Sequence, residues 1–340
     1  MNNHERPPSK RKVSRREFLF TLLAGVLIGI PSMWFIRSWR RREQPTETFI
    51  VRQPDYAHDM AASISAGLHE LRVRSEEIKG KRILLKPNLV ETLKGAVHIT
   101  THPAVVMAAA EAFFRIGAAE VMVAEGPGHC RDTFRVLEES GLAEALHEAS
   151  IPFVDLNQDD CLRTLNAGSK TRLKHFMLPA SLRKVDWLVS MPKLKTHHWA
   201  GVSLAMKNLF GVMPGIHYGW PKNVLHYLMI EKCVLDINAT LRPHFAIVDG
   251  IVGMEGDGPI MGTPKKTGVI VMGRDLPAVD ATCARIMGVN PDRVRYLAAA
   301  SARLGTIGED KVAQRGAKIA SVQTPFQLID RIPAHKGLRL

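Results

Sequence analysis

The stretch WLVSMPKLKTHHWAGVSLAMKNLFGVMPG, residues 187–215, decides how the chain is read. Trp187–Met191 is a short apolar run of a length that suits a buried strand. Lys193, Lys195 and His197 follow at period two, so they leave that strand on one face at its carboxyl end. Open α/β sheets place their ligands outside such ends. Lys207 and Asn208 close a small-residue segment that predicts a short helix ending at Gly211, and Pro214-Gly215 marks a turn. Ammonium groups gathered in this way repel one another and lose hydration, so the arrangement requires carboxylates or a bound anion among them. A solvated basic edge is the alternative; framing by Leu194, Trp199, Leu204, Met206, Leu209 and Phe210 favours a half-buried site.

Working outward, strands alternate with helices. Strands are expected at Phe49–Arg52, Arg82–Lys86, Glu120–Ala124, Pro152–Leu156, Leu173–Leu178, His244–Asp249 and Thr267–Met272. Helical spacing covers 56–73, a segment from a Thr101 cap through Pro103 to Gly117, and the segments Thr133–Glu139 and Leu142–Ala149. Asn223–Leu241 reads as one long helix, Pro277–Met287 as a helix capped by Asp275, and Asn290-Pro291 opens a last helix to Arg303. Such alternation predicts an α/β fold with a mostly parallel sheet and helices on both faces. The expected division is a signal and anchor (1–44), a linker with the first β-α element (45–80), the core α/β domain (81–305) and a C-terminal extension (306–340).

The chain has 340 residues and a formal net charge of +13. Residues 1–44 carry ten Lys/Arg against three Asp/Glu, which leaves 36 against 30, or +6, for the rest. A body this mildly basic, without a basic helix interleaved with aromatics, is not a nucleic-acid binder. Cys130, Cys161, Cys233 and Cys283 are far apart with no C-x-x-C pair, so they encode neither a zinc knuckle nor a cysteine-ligated cluster. They read as packed hydrophobes, with one or two disulfides open if the body is exported.

Ser14-Arg15-Arg16-Glu17-Phe18-Leu19-Phe20 matches the twin-arginine export pattern except at Phe20, where lysine is usual. The apolar run 18–36 that follows would span about 28 Å as a helix, nearly the thickness of a bilayer core. No A-x-A cleavage site comes after it, so the segment is expected to stay as an anchor with the body on the extracytoplasmic, periplasmic side.

Parallel strands deliver their carboxyl ends to one edge. Lys86-Pro87-Asn88, Glu125-Gly126-Pro127-Gly128, Lys193 to His197 and Asp249-Gly250 would meet there, and the loop 253–259 adds Glu255 and Asp257 on a glycine framework. Lys195, His197, Lys207, Glu125 and Asp249 are the candidate catalytic groups; Lys86, Asn88, Lys193, Asn208 and His102 are the candidate substrate-binding groups. Lysines would hold a carboxylate or phosphate, and a crowded one would have a lowered pKa and serve as a base. Glu125 and Asp249 would balance that charge or, with Asn88 or Asn208, bind a divalent metal. For His198, beside Trp199, a packed ring is the simpler role, and His102 stands where a helix cap competes with proton transfer. Neither a G-x-G-x-x-G fingerprint nor a Walker A sequence occurs.

Taken in order, Lys86-Pro87-Asn88, Thr101-His102-Pro103, Glu125 to Gly128, Pro192 to His197, Lys207-Asn208-Leu209-Phe210-Gly211, Asp249-Gly250, Gly256 to Pro259 and Asp275 with Ala278 to Ala281 resemble the domain-of-unknown-function family 362. The resemblance covers about residues 80–305. It implies an α/β body, and a redox association, because many relatives carry an appended ferredoxin-type cluster domain. This chain has no such cysteine run, so an iron–sulfur cluster would reside on a partner protein. The expectation is therefore a membrane-anchored, redox-associated enzyme for a small anionic substrate, with a non-catalytic binding or accessory module of a redox complex as the alternative.

Overall fold

The computed structural model describes residues 46–91 and 93–340. In chain order these form β1 (Thr46–Arg52), α1 (Met60–Glu70), β2 (Arg82–Pro87), α2 (Pro103–Arg115), β3 (Glu120–Glu125), α3 (Thr133–Glu139), α4 (Leu142–Glu148) and β4 (Phe153–Asp155). A two-stranded hairpin, β5 (Cys161–Leu165) and β6 (His175–Pro179), precedes β7 (Trp187–Met191), β8 (Lys193–His197) and β9 (Gly201–Ser203). Then come α5 (Ala205–Asn208), α6 (Asn223–Tyr227), α7 (Ile230–Leu241), β10 (Phe245–Glu255), β11 (Thr263–Gly273), α8 (Leu276–Ile286), α9 (Arg295–Ala300) and β12 (Val312–Gly316), with short helical turns between.

The main sheet has ten strands, and its path runs β12-β1-β11-β10-β7-β2-β3-β4. From β4 to β10 every neighbour is parallel, and β11 alone reverses between β10 and β1. Alternate residues separate two cores. Ile83, Leu85, Val121, Val123 and Val189 pack under α1 to α4, whereas Leu84, Met122, Leu188 and Val248 pack under α5, α7, α8 and α9. A slip of one residue would exchange these sets between the two faces, so the register of the strand ends is fixed by burial. The expected α/β sheet with helices on both faces is what forms.

Pro192 lacks a backbone N–H, so the strand begun by β7 pauses there. It resumes as β8, which still lies against β10, with Lys193 opposite Asp249 and Lys195 opposite Met254. β10 bulges between Gly250 and Val252 to follow it. The basic stretch is therefore not a set of side chains leaving the sheet but a second, buried strand of it, and all of Lys193–His197 is buried.

Other expectations change in detail. The helix expected over 223–241 breaks at Met229, whose φ of 73° ends α6 and restarts the chain as α7. His102, not Thr101, caps α2 by accepting from the Ala104 N–H at 3.2 Å, while Thr101 Oγ1 donates to Met191 O at 2.6 Å. β10 continues through Gly253–Glu255, which was read as loop. The helix expected to run from Asn290 to Arg303 is a 3-10 turn at Pro291–Arg293 followed by the short α9. Residues 306–340 contribute β12 beside β1 and bury Phe326 and Leu338 in the core. All four cysteines are free thiols; Cys233 and Cys283 are buried and Cys130 and Cys161 half-buried. The twin-arginine motif and the apolar run 18–36 lie outside the described residues, among which no helix is long and apolar enough to cross a membrane.

Candidate functional site

Two buried ion pairs stand at the strand ends, and the first of them reaches a cavity. Lys86, at the end of β2, is fully buried; its Nζ pairs with Glu125 Oε2 at the end of β3 and donates to Pro87 O (2.7 Å) and Asn208 Oδ1 (3.1 Å). Glu125 also accepts from the Gly126 N–H at 2.9 Å and the Leu89 N–H at 3.3 Å. Asn208 fixes α5 to the strands by donating to Lys86 O (3.0 Å) and Ser190 Oγ (3.1 Å). A Cβ added to Gly211 would collide with Glu125 Oε1 and lie 2.6 Å from Lys86 Nζ, so only glycine leaves room for the pair. Gly211→Ala is expected to cost about 1–3 kcal/mol through overpacking, read as a lower urea midpoint at constant slope.

The second pair is Lys193 with Asp249, 2.6 Å apart and wholly buried. Tyr56 OH stands 3.1 Å from Lys193 Nζ and donates to Asp249 Oδ1 at 3.2 Å, while the His102 N–H donates to Asp249 Oδ2 at 3.0 Å. The His102 ring stacks on Tyr56 at 3.8 Å. Both carboxylates considered as metal ligands are thus occupied by lysines, and among the described residues no group of three or more His, Cys, Asp or Glu could hold a metal ion. Lys195 donates to the Ile99 and Pro259 carbonyls and has no carboxylate partner among the described residues. Burial, then repulsion from Lys193 and Lys207, holds its pKa well below the ordinary lysine value.

Above the first pair opens a cavity of about 430 Å³, within the range of small-ligand pockets. Lys86, Asn88, Glu125, His197, Lys207, Asn208 and Asp257 line it, so seven of the sequence-selected residues converge there, joined by His198. Lys193, Lys195, Asp249, His102 and Glu255 do not line it: the first three are buried elsewhere, His102 caps α2, and Glu255 pairs with Lys265 at 3.2 Å. Lys222 and His226, absent from the sequence-based selection, line it as well.

Lys207 and Lys222 have no carboxylate within 4 Å among the described residues. Burial is the main reason both sit near pKa 7, with Lys86 adding repulsion. Lys207 Nζ lies 4.1 Å from the centroid of the Phe210 ring, and Lys222 Nζ donates to Asn157 Oδ1. Lys222 holds φ at 67°, a left-handed conformation that costs a non-glycine residue about 1–2 kcal/mol. His197 Nδ1 accepts from the Trp199 N–H (3.0 Å) and the Ala200 N–H (3.3 Å), so in the neutral ring Nε2 carries the proton. His226 Nδ1 lies 3.1 Å from Lys222 O; since a carbonyl can only accept, Nδ1 carries the proton there and Nε2 is the basic atom. Burial keeps His197 well below its usual pKa and brings His226 down to about 4, so both rings are neutral at pH 7. Asn88 lines the wall, and its Oδ1 is buried with no hydrogen-bond partner among the described residues. His198 is a third exposed, pairs with Asp257 at 3.5 Å, and with Trp199 separates the cavity from a second depression of about 620 Å³ lined by Arg293, Arg295, Arg331 and Lys336.

The profile of the family described as "Domain of unknown function (DUF362)" matches residues 83–285, more than half of the chain and every residue that lines the cavity. The chain belongs to the DUF362 family. The thylakoid-associated protein sll1697 of Synechocystis sp. is 28% identical over 267 residues, which cover 75% of this chain and 78% of that protein. Among solved structures, the lactate racemase apoprotein of Thermoanaerobacterium thermosaccharolyticum superposes with a TM-score of 0.44 at 13% identity, covering 73% of this chain. A Thermotoga maritima protein gives 0.36 at 13% identity over 66% of this chain. The chain spans 58% of the length of each of these two structures. Within this DUF362 chain, the Lys86, Glu125 and Lys207-Asn208 segments thus meet at one cavity, while the second depression draws mainly on residues beyond 285.

Proposed function

We propose that the DUF362 body binds a small carboxylate or phosphate in the 430 Å³ cavity, where Lys207 and Lys222 hold the anion. The observation that carries this reading is the pair of buried lysines without a carboxylate partner; an anionic guest supplies the missing charge. In an enzymatic cycle His197 Nε2–H would polarise the bound oxygen and His226 Nε2 would accept a proton, while Glu125 and Asp249 neutralise Lys86 and Lys193. A binding module of a redox complex would use the same cavity without turnover. Assay of carboxylates and phosphates for chemical conversion separates the two, and copurifying metal or iron–sulfur protein identifies a partner.

The pH dependence has a definite sign. Both lysines fall from 10.5 to about 7 in the fold, so they are cationic below pH 7 and neutral above it. Acetate, whose own charge is constant across this range, is expected to bind about tenfold more tightly at pH 6 than at pH 8.5, with proton uptake on binding above pH 7. Affinity that does not change with pH would contradict the assignment. In the free protein the unfolded chain binds more protons between pH 7 and 10.5, so these two groups make stability rise with pH across that window. Lys207→Met is expected to flatten that rise in thermal melts.

The body is further proposed to be held at a membrane by residues 18–36 and exported by the twin-arginine route to the periplasmic side. The apolar run and the thylakoid association in the name of the 28% identical relative support membrane association, and the Ser14–Phe20 motif supports the export route. Arg15→Lys with Arg16→Lys is expected to leave the protein protected from external protease in spheroplasts; unchanged protease access would count against export by this route.

A further inference from the structure

The cavity has a second character that a small hydrophilic anion does not use. Its floor is cationic, but Val90, Phe210, Pro221, Pro259, Ile260 and Met261 form the walls. The apolar surface continues outward at the rim, where Trp199 is 57% and Met261 79% exposed. The segments that contribute Val90 and Lys222 also carry exposed Leu93 (67%) and Tyr227 (88%). Scattered exposed apolar residues need no explanation, but Trp199 and Met261 are exposed where they line an apolar-walled cavity, which does. Methionine suits such a wall because its flexible thioether adapts to chains of different shape.

We infer that the ligand is an anionic amphiphile with a single hydrocarbon chain: its carboxylate lies on the Lys207–Lys222 floor and its chain runs along Phe210, Ile260 and Met261 toward the apolar rim. This rests on the anion-binding reading and narrows it to a substrate class. A purely polar anion would leave the walls in contact with water, and a neutral hydrocarbon would leave the two lysines unpaired. Only a molecule with both ends satisfies the floor and the wall together.

Calorimetric titration with linear alkanoates from acetate to octanoate, kept below micelle-forming concentrations, tests this in the full chain. Each buried methylene is worth about two- to fourfold in affinity, so octanoate is expected to bind at least about fiftyfold more tightly than acetate. Ile260→Ser with Met261→Ser is expected to reduce that ratio to within about fivefold, and octyltrimethylammonium, of similar chain but opposite charge, is expected not to bind. Equal affinities along the series, a ratio unchanged in the wall variant, or binding of the cation as strong as that of octanoate would each overturn the inference. If acetate, phosphate and octanoate all fail to bind, the anion-binding reading itself falls; if short anions bind without a chain-length trend, only the amphiphile does.

Discussion

Glu125→Ala is expected to lower the unfolding free energy by about 3–5 kcal/mol, the usual loss when one partner of a buried ion pair is removed. Lys86 would keep only the Pro87 carbonyl and Asn208 for its fully buried ammonium group, and the Leu89 and Gly126 N–H groups would lose their acceptor. Replacing both partners, Lys86→Met with Glu125→Leu, removes the stranded charge and is expected to recover most of the loss. Urea unfolding at constant slope measures both changes. A single-variant loss below about 1 kcal/mol would mean that the pair is not buried as described.

The second large effect is expected at Asp280, a fully buried residue of α8. Its carboxylate accepts from the Ala205 N–H (2.7 Å), the Met206 N–H (3.1 Å) and Tyr296 OH (3.4 Å), so it holds the start of the helical turn that carries Lys207 and Asn208. Burial pushes its pKa up to about 8 even though the two N–H donors favour the anion. Asp280→Leu keeps the branched shape at Cγ, with larger ends, but strands three buried donors, each costing about 1–3 kcal/mol, so a loss of at least 3 kcal/mol is expected. Anion affinity should fall with it, although residue 280 does not line the cavity. Asp280→Asn retains a carbonyl acceptor and is expected to lose less than half as much. Calorimetric melts together with phosphate titration measure the two effects; a stable Asp280→Leu variant with normal phosphate affinity would show that α5 does not depend on this anchor.

Much of this was legible in the sequence because strands buried on both faces leave continuous apolar runs. Ile83 to Lys86 and Trp187 to Met191 announce parallel strands, and the polar residues after them mark one edge. Which lysine met which carboxylate was not legible, because it depends on β8 continuing past Pro192 beside β10, which turns Lys193 and Asp249 into a closed pair instead of a ligand site. Lys222 and His226 went unseen for a different reason. They follow Trp220-Pro221 in a turn, and the apolar spacing after them imitates one helix through to Leu241. The left-handed conformations of Lys222 and Met229, which aim the first turn into the cavity and separate it from α7, leave no pattern in residue type. β12 was missed because its sequence, VAQRG, has little apolar content and forms an edge strand by pairing with β1.

The most direct measurement is isothermal titration of phosphate and octanoate into the wild-type chain and into Lys207→Gln with Lys222→Gln at pH 6.5. Loss of two charge-assisted contacts, each worth about 1.5–3 kcal/mol, predicts affinity at least about a hundredfold weaker in the variant for both anions, with its melting temperature maintained or raised. Equal affinity in a folded variant would contradict the claim that these two buried lysines hold the ligand.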